Sequence, residues 1–239
     1  IEKGMLEDLT DLADDLMGQD SYLEEILKNT AQSGGNIYGM PVKFKIPILF
    51  GDEEVKAALE SIDTLQAYMD ANPEASVFGV ADYDYIRNFL FQLYQDEIVD
   101  PDGKIDQARL VQLLELESKI SVNARAAEFE GEEYNTSYEY APGPFNNIMG
   151  AGIMKYPDAV STEEISSVQN MMLPYAMMRE LNVKPSAVQN MYNPVGVVGI
   201  NESSGVKDLA EDFVKYLFSE EIQSAQLDDG FPVMESAME

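Results

Sequence analysis

Strand-like and helix-like patterns alternate along these 239 residues, and the alternation predicts an α/β layered fold. Three observations carry it. Val42 to Phe50 alternates and is rich in β-formers, as a strand does. Val195, Val197, Val198 and Ile200 form a short β-branched run without alternation, the pattern of a strand covered on both faces. Between them, apolar residues recur at helical spacing.

In chain order, Leu6, Leu9, Leu12, Ala13 and Leu16 make a first helical stripe among acids, and Tyr22, Ile26 and Leu27 make a second before the stop at Gly34-Gly35. After the strand at Val42 to Phe50, Glu53 to Leu59 and Thr64 to Met69 read as short helices and Ser76 to Val80 as a strand. Ile86 to Tyr94 and Ala108 to Phe129 read as longer helices. Asp100-Pro101-Asp102-Gly103-Lys104-Ile105-Asp106 invites a calcium-loop reading, but with Gly103 at the loop's sixth position the first and twelfth ligands become Ile98 and Arg109. A plain turn between two helices is expected there. Ser161-Thr162-Glu163-Glu164 fits a capping box, although Pro174 would interrupt any helix running from it. From Lys207 on, Leu209, Ala210, Phe213, Val214 and Leu217 form one apolar stripe, and Ser219 is placed to cap a following helix begun by Glu220 and Glu221.

Composition removes whole classes of function. The 44 acidic and 15 basic side chains give a formal charge of −29, which opposes nucleic acid and anionic membrane surfaces, since both need Lys/Arg patches. With no Cys and no His, a Cys nucleophile, a Ser-His-Asp triad and a zinc site of the His-Glu-x-x-His kind are impossible. No apolar stretch approaches the length of a membrane span, and Ile1-Glu2-Lys3-Gly4 has no secretory signal, so the chain reads as an excised piece. Gly150-Ala151-Gly152 and Gly196 to Gly199 lack the third glycine of a dinucleotide fingerprint. No metal, cofactor or catalytic residue is expected.

The stretch 132–147 concentrates rings, carboxylates and amides in a Pro/Gly-marked segment with neither helical nor strand period. Aromatic faces suit sugar rings, and Tyr, Asn and Glu oxygens suit directional bonds to hydroxyls. Tyr134, Tyr138, Tyr140, Phe145 and Asn146 are therefore candidate carbohydrate ligands. The alternative is that the tyrosines pack this segment onto its domain, and the absence of Trp weakens the sugar reading. Met171, Met172, Met177 and Met178 either fill a core or line an adaptable surface.

The C-terminal fifth adds an ordered set of motifs: Val197-Val198-Gly199-Ile200-Asn201, then Ser203-Ser204, an Ala210-x-x-Phe213-x-x-x-Leu217 helix, Ser219-x-Glu221-x-Gln223 and Gly230-Phe231-Pro232. Near the start stand Gly4, Leu6, Asp8, Leu9 and Thr10, followed by Asn36-Ile37-Tyr38-Gly39-Met40-Pro41-Val42. In this order and spacing, from residue 4 to residue 233, the chain resembles bacterial extracellular solute-binding proteins of the sugar-binding type, the capture subunits of ABC importers. The resemblance implies a periplasmic-binding-protein-like fold of type II in which roughly the first hundred residues of a complete member are missing, with signal and lipid-anchoring Cys. It implies residues 1–39 as part of the first lobe, 40–194 as the second, 195–230 as a first-lobe strand and helices, and 231–239 as a return towards the second lobe. It further implies a carbohydrate solute taken between two lobes, ABC permease partners, and a cell-surface, lipid-anchored location. Crossings between lobes are expected near Tyr38 to Val42, Pro194 to Gly199 and Gly230 to Val233, which makes Tyr38 and Phe231 further candidate ligand residues or, alternatively, hinge packing. A carboxylate-based glycoside hydrolase and a surface interaction module without small ligand are the other two classes consistent with the residues.

Overall fold

A computed structural model describes residues 3–19, 21–78, 83–100, 103–129, 159–168, 171–181, 184–188, 191–225 and 229–238. The α/β class is as expected. Helices α1 (Thr10–Gln19) and α2 (Glu24–Asn29) lead into strands β1 (Ala31–Ser33) and β2 (Asn36–Gly51). Helices α3 (Glu53–Ala58), α4 (Ile62–Ala71), α5 (Tyr83–Leu93), α6 (Gln95–Ile98) and α7 (Gln107–Phe129) follow. The remainder runs β3 (Val160–Ile165), α8 (Met172–Leu181), β4 (Ser186–Ala187), β5 (Asn193–Val198), α9 (Lys207–Leu217), α10 (Glu220–Gln223) and β6 (Phe231–Pro232), then a closing 3-10 turn at Glu235–Met238.

The chain divides into two compact units, each with its own core. Unit 1 holds residues 1–46, 164–170 and 192–239; unit 2 holds 47–163 and 171–191. These borders differ from those expected at 39/40 and 194/195. The reason is packing: Met40 and Phe44 are buried among Leu9, Leu12, Leu27, Val214 and Phe218 of unit 1. The end of the chain also stays in unit 1, because Phe231 and Pro232 pair with Phe44 and Lys43 of β2 and Leu23 donates its N–H to the Val233 carbonyl.

Unit 1 is organised on the first part of β2. That segment pairs antiparallel with β1, β5 and β6, with Met40 opposite Val198, Lys43 opposite Val195 and Phe44 opposite Phe231. Gln223 ties the C-terminal helices to it: the side-chain amide donates to the carbonyls of Val42 (3.1 Å) and Leu217 (3.0 Å) and accepts from the Val233 N–H (2.9 Å). In unit 2, α4, α5 and α7 enclose Ile62, Leu65, Met69, Ile86, Leu90, Leu113, Leu116 and Ile120. The Tyr94 hydroxyl, buried there, donates to the Leu59 carbonyl at 3.1 Å, and burial pushes its pKa well above that of an exposed tyrosine. Asp52 caps α3 by accepting from Glu54 and Val55, and Ser61 and Thr64 form a capping box on α4. Between α6 and α7 the Gly103 N–H donates to the Asp100 carbonyl at 2.9 Å and the Lys104 N–H to the Asp100 carboxylate at 2.8 Å; Pro101 and Asp102 of the expected turn lie outside the described residues.

Five local expectations are corrected. β5 is not covered on both faces: Val197 is 49% exposed, because β2 is its one strand partner among the described residues. Val197→Asp is therefore expected to cost about 1 kcal/mol or less, and Val198→Asp more, since Val198 packs on the unit 1 core. Thermal denaturation of the two variants checks the order. On α9 the buried side is Val214, with Ala210 and Leu217 half-buried and Phe218 at its C-cap, while Leu209 and Phe213 point out to solvent. At 100° per residue the apolar arc is wider than the contact with the core, and its Leu209 and Phe213 edge is left over. Ser219 occupies the N-cap of α10, but its hydroxyl donates back to the Tyr216 carbonyl at 2.7 Å instead of accepting from the new helix. Ser161 to Glu164 lies in β3, where a ladder outweighs the local capping pattern, and the helix begins only at Met172 with Pro174 tolerated in its first turn. The strand expected at Ser76 to Val80 is reduced among its described residues to one bridge, Phe78 to Val160, because the chain turns at Val77, which has φ +61°.

Candidate functional site

Of the seven residues singled out as ligand candidates, Tyr38 and Phe231 are described; Tyr134, Tyr138, Tyr140, Phe145 and Asn146 lie outside the described residues. Both described rings belong to unit 1. Phe231 packs against Phe44, the rings tilted by 41° with centroids 5.8 Å apart. Tyr38 is half-buried on β2, and its carbonyl is so near Gly199 that a side chain there would approach to 2.9 Å. Gly199 thus lets the exit of β5 close on β2.

The chain passes between units at 46/47, 163/164, 170/171 and 191/192. Three of these crossings begin or end beside one polar cluster in unit 1. The Lys45 Nζ donates to Glu164 Oε2 at 3.2 Å, and the Asn193 amide donates to Glu164 Oε1. Lys45, Glu164 and Asn193 each stand within two residues of a crossing, so Glu164 braces three connections at once. On the same face of β2 the buried Lys43 ammonium donates to Asp229 (2.9 Å) and to the Ala225 carbonyl (3.5 Å). The sequence reading missed this cluster. A signal was present: Lys43 and Lys45 alternate with Val42, Phe44 and Ile46, so the strand has one apolar and one charged face. Because Lys45 and Glu164 are both partly exposed, Glu164→Ala is expected to cost about 1 kcal/mol and less at high salt, read from urea denaturation at two ionic strengths.

In unit 2, three of the four methionines singled out in sequence stand on the surface at α8, while the side chain of Met177 lies outside the described residues. Met171, Met172 and Met178 are exposed, and Tyr175, at 65%, stands between them one turn along α8. Rings and thioethers presented together offer an apolar, polarisable face. No helix among the described residues is long and apolar enough to cross a membrane.

No protein-family model matches the sequence. No curated protein matches it either. Solved structures do. An ABC substrate-binding protein from Listeria monocytogenes in complex with cycloalternan is 15% identical, with all of this chain and 64% of that one aligned at a TM-score of 0.48. A solute-binding protein of an ABC transporter from Thermotoga lettingae, bound with α-D-tagatose, is 15% identical over 99% of this chain and 64% of that one, at 0.48. A sugar transporter structure from Arthrobacter chlorophenolicus, with bound laminaribiose, is 14% identical over 99% and 62%, at 0.49. The chain thus spans less than two thirds of the length of the structures it is similar to.

Proposed function

We propose that residues 1–239 form part of the extracellular solute-capture component of an ABC importer, that its solute is a carbohydrate, and that the complete protein is lipid-anchored at the cell surface and delivers to permease subunits. The observation that carries this reading is the division into two separately cored units joined by four crossings, three of them braced by Lys45, Glu164 and Asn193. Two bodies on short connections are what ligand-driven closure uses. The ordered motifs from residue 4 to residue 233 support the same reading.

The mechanism is capture without turnover. A solute that binds one arrangement of the protein more tightly than another shifts the population towards it, by no more than that difference in affinity. The permease then reads the liganded state. The chain's own candidates for the sugar contacts are Tyr134, Tyr138 and Tyr140, with Tyr38, Phe145, Asn146 and Phe231, and the exposed Tyr175 of α8 joins them. Each of Tyr134, Tyr138, Tyr140 and Tyr175 is changed to Ala, in the natural polypeptide that carries this chain, and titrated with sugar by calorimetry. At least one variant is expected to lose roughly 1 to 4 kcal/mol of binding while keeping its melting temperature, as a well-packed anchor does. Unchanged affinity in all four would remove these rings from the site.

A further inference from the structure

Helix α7 has two apolar faces. Leu113, Leu116, Ile120 and Ala124 are buried in unit 2. At 100° per residue, Val111, Leu114 and Val122 fall on the opposite side, and they are 53, 41 and 64% exposed. A helix that buries one stripe ordinarily turns a polar face to water. Here Val111, Leu114, Ser118 and Val122 instead make a second stripe over three turns, and with Glu115 and Lys119 they line a shallow depression of about 500 Å3.

Two features of this face select its occupant. The first is self-complementarity. A second α7 laid antiparallel across the stripe sets Val111 of each copy against Val122 of the other, and brings Glu115 of each within one position of the other copy's Lys119. Lys119, which lines the same depression, donates from its ammonium to the Met69 carbonyl at 3.1 Å. The second is charge. Two copies of a chain with net charge −29 repel over most approaches, but this depression carries one acid and one base and is locally neutral.

We propose that the outer face of α7 seats a second copy of the chain in a two-fold antiparallel helix pair. One helix face on each side falls short of the roughly 1,200 Å2 at which standard stable interfaces begin, so the pair is weak and concentration-dependent. Added salt favours it, because screening removes more of the net repulsion than of the short-range Glu115–Lys119 attraction. The inference does not depend on the solute-capture reading.

Sedimentation equilibrium of the whole chain over a wide concentration range tests it, with circular dichroism to show that each variant folds. A monomer–dimer equilibrium is expected, and Val122→Asp, which sets a carboxylate against Val111 of the other copy, should raise the dissociation constant about tenfold or more, as loss of an apolar anchor does. Charge variants give the sharper result. Glu115→Lys alone and Lys119→Glu alone should each weaken self-association, because each sets like charges together twice. Mixed in equal amounts they should pair with one another more tightly than either pairs with itself. A chain that stays monomeric at every concentration, a dimer indifferent to Val122→Asp, or the lack of preference for the mixed pair would each overturn the proposal.

Discussion

Replacing Gly51 with Ala is expected to destabilise unit 2 by about 3 kcal/mol or more, the range for a side chain that has neither room nor an allowed backbone conformation. Gly51 ends β2 at φ +119°, a conformation that residues with a Cβ rarely adopt. A Cβ built there would stand 2.2 Å from the Ala159 carbonyl oxygen and 3.0 Å from the Val160 Cα. Both neighbours are backbone and cannot swing aside. They are also engaged: the Ala159 carbonyl accepts from the Asp52 N–H, and the Val160 N–H donates to the Val77 carbonyl. Opening this junction would disturb the start of α3 and the bridge at Phe78 together. Urea denaturation of Gly51→Ala beside the parent reads the difference, and equal midpoints would show that the junction is not as tight as described.

Gln223→Leu is expected to cost about 2 to 4 kcal/mol, since shape is kept while buried backbone groups lose their partners. The Gln223 side chain is the shared partner of the Val42 and Leu217 carbonyls and the Val233 N–H, and it is 2% exposed. No water can replace it without opening the contact between α10 and β2. Gln223→Glu separates hydrogen bonding from shape: the carboxylate still accepts from Val233 but faces two carbonyls, so it should be no better than Leu at neutral pH. A Leu variant as stable as the parent, by denaturant titration, would make Gln223 a passive filler.

Where one residue period dominated a long segment, the sequence was sufficient. The core residues of α7 are spaced so that Leu113, Leu116, Ile120 and Ala124 share a face, and the period alone placed that helix. The alternation in β2 likewise followed from its residues. What the period could not say was how much of an apolar arc is covered. Val197 and Phe213 look like core in sequence and are about half exposed in the structure, because cover depends on neighbours that local spacing does not encode. Ser161 and Ser219 show the other failure: a capping pattern that is locally sound gives way to a strand ladder in one case and to a back-bond on Tyr216 in the other. The brace at Glu164 depends on partners 119 and 29 residues away in sequence, Lys45 and Asn193, which topology alone brings together. Its trace in the sequence is two lysines inside an otherwise apolar strand.

We propose that this protein captures a carbohydrate and releases it unaltered. Calorimetric titration of the natural polypeptide that carries residues 1–239, against a panel of mono- and oligosaccharides with amino acids and peptides as controls, tests it most directly when the sugar is recovered afterwards and analysed. Saturable binding of at least one carbohydrate, returned chemically unchanged, is the predicted result. Binding confined to the amino acids or peptides, no binding across the panel, or a sugar recovered hydrolysed would contradict it.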